Sequence, residues 1–98
     1  MVKATKNIIP RQKEVISLLK KNGVIRASVF GSFARRENKK TSDIDILVKL
    51  KGGKTLLDLI SIERKLKNRL KRKIDLLTYD SIHHSLKENI LKEKISLI

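Results

Sequence analysis

Apolar and polar positions along the 98 residues alternate between two periods. Val15, Leu18 and Leu19 recur at helical spacing, and Pro10 fits as an early residue of that helix because it needs no N–H there. Asn22-Gly23 ends it, glycine tolerating the left-handed cap. Val24 to Phe30 is β-branched and strand-like, and Gly31-Ser32 breaks it abruptly. A short helix is predicted through Phe33 to Glu37, then a polar loop from Asn38 to Ser42. Asp43 to Leu50 is the clearest strand: Ile44, Ile46, Val48 and Leu50 share one face, and Asp43 and Asp45 share the other. Lys51-Gly52-Gly53-Lys54 reads as a turn. Thr55 caps a helix to about Leu70, with Leu59, Ile62, Leu66 and Leu70 at helical intervals. Lys73 to Tyr79 is a further strand. Ile82, Leu86, Ile90 and Leu91 could line a last helix, followed by a short strand or tail. Alternating strands and helices predict a single α/β domain over residues 1–98, a sheet covered by helices.

Composition narrows the chemistry. Cysteine is absent, so disulfides and thiolate zinc sites are excluded. Aromatic residues are 3% of the chain, which weakens single-strand nucleic-acid binding by stacking. No apolar run reaches membrane-spanning length and the first residues lack a secretory signal, so a cytoplasmic protein without membrane attachment is expected. The net charge of +14 suits a polyanionic partner, an NTP, a nucleic acid or an acidic protein. A lysine-rich, glutamine-poor composition also arises in hot habitats.

Three features carry chemistry. Asp43 and Asp45 on one strand face lie within reach of a shared cation and would repel each other without one. Asp75, flanked by Ile74 and Leu76, joins them if its strand pairs alongside. Oxygen donors without His or Cys favour Mg²⁺ or Mn²⁺. Gly31-Ser32, between strand and short helix, presents backbone N–H groups and a hydroxyl to an anion, with Arg35 and Arg36 one helical turn on. Gly53-Lys54-Thr55 is not a P-loop, since Val48 stands where that motif needs glycine. His83 and His84 read as a surface pair, because adjacent helical residues do not face the same way.

The run Gly31-Ser32-Phe33-Ala34-Arg35-Arg36-Glu37, with Ser42-Asp43-Ile44-Asp45-Ile46-Leu47-Val48 after it, resembles the signature of the DNA polymerase beta nucleotidyltransferase superfamily. It is most similar to the minimal nucleotidyltransferase (MNT) proteins. Their pattern is Gly-Ser, ten residues, then Asp-x-Asp; here the ten are Phe33 to Ser42. Lys73-Ile74-Asp75-Leu76-Leu77 matches the third-carboxylate strand. The resemblance covers about Val15 to Thr78. Arg36 departs from the pattern, since many relatives have glycine there.

The resemblance implies a minimal polymerase-beta-like fold, a small mixed sheet with helices packed mainly on one face. It implies that Asp43, Asp45 and Asp75 bind two Mg²⁺ ions, that Asp75 also serves as general base, and that Gly31 and Ser32 hold the triphosphate of ATP with support from Arg35 and Arg36. It further implies AMP transfer to a hydroxyl, a tyrosine of a cognate HEPN-domain RNase toxin, by an antitoxin, with self-association open. Two other readings stand beside it: a silent module that neutralises its partner by occlusion, and an RNA-directed nucleotidyltransferase. Intact carboxylates weigh against the first; scarce aromatics and the lack of an accessory domain weigh against the second.

Overall fold

A computed structural model describes residues 7–39, 42–82 and 84–98, the backbone alone for residues 84–86. His83, and the side chains of His84 and Leu86, therefore lie outside the described parts.

The first helix, α1, is Gln12–Lys21. Its start corrects the expectation for Pro10. Arg11 has φ 51 and sits in the left-handed region, so the helical path cannot run back to the proline. The Gln12 side chain instead accepts the Ile8 N–H at 2.6 Å. Gly23, at φ 86, turns the chain out of α1 as the sequence predicts.

Strand β1, Val24–Phe30, leads directly into α2, Gly31–Ala34. This helix begins two residues before the predicted one and ends three residues sooner. Its end is a two-bond cap: the Glu37 N–H donates to the Ser32 carbonyl at 2.8 Å and the Arg36 N–H to the Phe33 carbonyl at 3.2 Å. Arg36 takes the left-handed position of that cap, φ 59. Glycine is the usual residue there, which explains why a relative would carry it.

Strand β2 is Ile44–Leu50 and α3 is Leu56–Leu70. The predicted cap at Thr55 is present; the Thr55 N–H donates to the Asp58 carboxylate at 2.7 Å. Strand β3, Ile74–Thr78, runs into a 3₁₀ turn, Tyr79–Ser81. Helix α4, His84–Glu93, and the short β4, Ile95–Ser96, complete the chain. Ile82 precedes α4 rather than lining it but is buried all the same, and Leu91 is exposed.

The strands form one mixed sheet in the order β3-β2-β1-β4. Crossing over through α3 makes β2 and β3 parallel, while β1 is antiparallel to β2 and to β4. The main core lies on one face. There Ile44, Ile46, Val48 and Ile74 meet Val15 and Leu19 of α1 and Ile62 and Leu66 of α3, all essentially without solvent contact. Each such side chain contributes ~1.5–3 kcal/mol by leaving water. The opposite face carries a smaller cluster of Phe30, Leu47 and Ile82, with Leu77, Tyr79 and Ile90 against it. This second cluster adds to the expected architecture: Leu47 shares the face of Asp45, yet it is fully buried.

Candidate active site

The parallel register places Asp45 directly opposite Asp75. Residues directly paired on neighbouring strands point to the same face, so the two carboxyls stand side by side, close enough to hydrogen bond. Asp45 is half-buried and Asp75 exposed. The Asp45 carboxyl is pushed up from its ordinary 3.8 to about 6. Burial is the largest cause, followed by the charge of Asp75, the hydrogen bond with it, and the charge of Asp43; Arg35 pulls weakly the other way. The smaller apolar cluster, with Leu47 and Phe30, continues along the same face.

Asp43 stands one residue before β2, half-buried. Its carboxylate pairs with the Lys73 ammonium at 3.7 Å. Among the described residues no three acidic, His or Cys side chains are gathered closely enough to cage a metal ion. Asp45 and Asp75 are the preformed pair, and Asp43 is drawn toward Lys73.

Gly31 closes the site from β1. Its neighbour Phe30 pairs with Asp45, and Gly31 itself has φ 71. A Cβ at this position would land on the Asp45 carboxylate. Two independent reasons therefore favour glycine, backbone conformation and close approach. Ser32 follows, partly buried. Helix α2 is pinned by Phe33, buried in the main core with the Arg72 guanidinium 5.5 Å from its ring centre.

Arg35 stands one helical turn after Gly31, its N–H donating to the Gly31 carbonyl at 3.1 Å as the C-cap of α2, and Arg36 follows in the left-handed conformation. Arg35 donates to Glu37 at 3.1 Å and to Glu93 of α4 at 3.0 Å. These bonds hold its guanidinium pKa above the ordinary value. Arg36 is exposed. Sequence reasoning gave no role to Glu93 or Lys73. Glu93 carries no local signal, being 58 positions from Arg35. Lys73 has one, since it precedes Asp75 by two positions in an extended segment. A cavity of about 860 Å³ lies at the other end of β2 and β3, and its lining includes none of the three aspartates.

The geometry is that of a shallow acidic corner beside a glycine turn. It can attract a divalent cation to paired carboxylates and accept a proton from a hydroxyl.

The family described as Polymerase beta, Nucleotidyltransferase matches residues 13–98. A Methanocaldococcus jannaschii protein, provisionally named a protein adenylyltransferase, is 49% identical over 92 residues, 94% of this chain and 99% of that one. A solved structure described as a provisional minimal nucleotidyltransferase superposes with a TM-score of 0.77 at 36% identity, covering 87% of each chain. A chain of the complex between a tri-AMPylated Shewanella oneidensis HEPN toxin and its MNT antitoxin shares the fold, with a TM-score of 0.69 at 22% identity over 89% of this chain and 68% of that one. Among the described residues no helix is long and apolar enough to cross a membrane. With a motif spanning β1 to β3 and a match reaching the last residue, the chain belongs to the polymerase beta nucleotidyltransferase family, as an enzyme of its minimal type acting on a nucleotide.

Proposed function

We propose that this protein transfers AMP from ATP to a hydroxyl of a partner protein, a tyrosine of a cognate HEPN-domain toxin, and so serves as an antitoxin. The observation that carries the reading is the in-register pair Asp45 and Asp75, with Gly31 pressed against Asp45. The names of the relatives supply the donor and partner class.

In the transfer, the acceptor oxygen attacks the α-phosphorus of ATP, a P–O bond to the acceptor forms, and the bond to pyrophosphate breaks. The hydroxyl proton passes to a carboxylate. Asp75 suits this role, being exposed toward an incoming acceptor. Gly31 and Ser32 bind the triphosphate through backbone N–H groups and a hydroxyl. Arg35 exchanges its Glu37 and Glu93 partners for phosphate oxygens, and Arg36 supports it from the loop.

Magnesium fits the donor set. Asp43, Asp45 and Asp75 offer only carboxylate oxygens, and the proton affinity of Asp45, raised first by burial and then by the charges of Asp75 and Asp43, marks an anion that a cation would relieve. Asp43 would turn from Lys73 to join them. When bound, the ions neutralise the triphosphate and the leaving pyrophosphate.

The test is label transfer from α-labelled ATP with Mg²⁺ and the partner protein. Wild type labels the partner, and Asp43→Ala is expected to reduce the rate by about a hundredfold or more. Unlabelled partner that is still neutralised, equally by wild type and Asp43→Ala, would establish occlusion instead. Label appearing on RNA rather than protein would establish a nucleic-acid acceptor.

A further inference from the structure

At the far end of β2 and β3 from the aspartates, the cavity of about 860 Å³ opens between the β2–α3 turn, the first turns of α3 and the 3₁₀ turn. Two large apolar side chains of its lining stand in solvent: Leu56 is 70% exposed and Ile60 45%. Leu56 and Ile60 line it one helical turn apart, and partly buried Leu59 continues the strip inward. We infer that this end of the sheet is a docking surface for an acidic, amphipathic helical segment of a partner protein.

The apolar strip supplies the energy. Each exposed leucine or isoleucine it covers contributes up to ~1.5–3 kcal/mol on burial, before ordering costs are subtracted. Neither Leu56 nor Ile60 belongs to the main hydrophobic core. Thr55 and Asp58 already cap the helix, and the core face of α3 is carried by Ile62 and Leu66.

Charge selects the occupant. Arg26, Lys49, Lys51 and Lys54 line the cavity against Glu63 and Asp80, so the rim is net positive. A helix with leucines at i, i+3, i+4 and i+7 and carboxylates on its flanks matches both features. A second copy of this chain brings the same basic rim, and a net charge of +14, against itself. Nucleic acid matches the charge but not the aliphatic strip. The one ring in the lining, Tyr79, is engaged through its hydroxyl by Ser28 at 3.4 Å and faced by the Lys94 ammonium at 5.2 Å.

The placement has a consequence for acceptor presentation. Asp45 and Leu50 are separated along β2 by ~17 Å. A segment docked here leaves the aspartates open. It lets ~5 extended residues of the same partner carry a hydroxyl to them. The inference rests on the proposed function only in identifying the docked chain with the acceptor; docking itself needs neither nucleotide nor catalysis.

The experiment uses the whole chain and a fluorescent amphipathic peptide of ~14 residues, leucines on one face and glutamates on the other, beside a twin with lysines for glutamates. Anisotropy gives the affinity and ¹⁵N amide shifts give the place. The acidic peptide is expected to bind with Kd of about 10–100 μM, with shifts confined to the β2–α3 turn and the start of α3. Leu56→Ser with Ile60→Ser should weaken it about tenfold or more, as should Lys49→Glu with Lys54→Glu. Far-UV dichroism checks that these surface variants remain folded. Asp45→Asn should bind as wild type does, which separates failure of docking from failure of transfer. Absent binding, equal binding of the two peptides, shifts spread over the basic faces of α1 and α3, or no effect of the paired apolar substitutions would overturn the inference. So would self-association by sedimentation that Leu56→Ser abolishes.

Discussion

Replacing Asp45 by Asn keeps the side chain's shape and removes its charge from the most crowded point of the site. The folded protein holds the Asp45 proton more tightly than the unfolded chain, about 6 against 3.8. Over that interval the native state binds the extra proton, so stability falls as pH rises. The favourable contribution is complete below 3.8 and lost as pH passes through about 6. At neutral pH the native state therefore carries an anion it disfavours. A rise of this size corresponds to ~3 kcal/mol at full strength. Asp45 is only half-buried, and screening by water reduces the effect to ~1–2 kcal/mol. Asn cannot ionise and escapes it. Asp45→Asn should thus exceed wild type in stability by ~1–2 kcal/mol near pH 7.5, with the advantage gone near pH 4. Urea unfolding followed by far-UV dichroism, at fixed ionic strength and without divalent cations, measures the difference through the transition midpoint. Mg²⁺ then supplies a second arm. At ten times its Kd it should stabilise wild type by about 1.4 kcal/mol and the Asn variant far less. Parallel pH profiles for the two proteins, or a variant less stable than wild type near neutrality, would show that folding does not raise the proton affinity of Asp45.

Gly31→Ala combines a left-handed backbone with a Cβ placed on the Asp45 carboxylate, and should lower stability by at least ~1 kcal/mol while abolishing label transfer; transfer at the wild-type rate would sever Gly31 from the site. Arg36→Gly relieves the left-handed cap and should raise stability by ~0.5–1 kcal/mol in urea unfolding, while an unchanged nucleotide KM would remove Arg36 from triphosphate binding. Asp58, held below the usual carboxylate range by the Thr55 N–H, has the opposite sign to Asp45: its contribution is present above the unfolded value and lost as pH falls through the folded one. Melting temperatures of Asp58→Ala should therefore lie below wild type at neutral pH and converge with it in acid; a gap that persists in acid would refute the assignment.

Local pattern was enough for several elements because their causes are local. The alternation of Ile44, Ile46 and Val48 writes β2, and Thr55 with Asp58 writes the start of α3. The Gly-Ser and Asp-x-Asp spacing, with Asp75 on a later strand, named the acidic residues and the family. Helix ends were less legible. Arg11 and Arg36 take left-handed conformations that no propensity assigns to arginine, so α1 starts after Pro10 and α2 stops before Arg35.

What the chain order could not settle is register and company. Asp45 and Asp75 share a face in any outward reading, but they become neighbours because the α3 crossover lays β3 parallel to β2 with those two residues opposite. A slip of one position would turn Asp75 into the core. Folding likewise gave Asp43 its Lys73, Arg35 its Glu93, and Asp45 the burial and the Asp75 neighbour that raise its proton affinity. Periodicity along a strand reports which face a side chain takes; only contacts between distant segments fix what stands beside it, and those contacts set the charge and dielectric on which the chemistry depends.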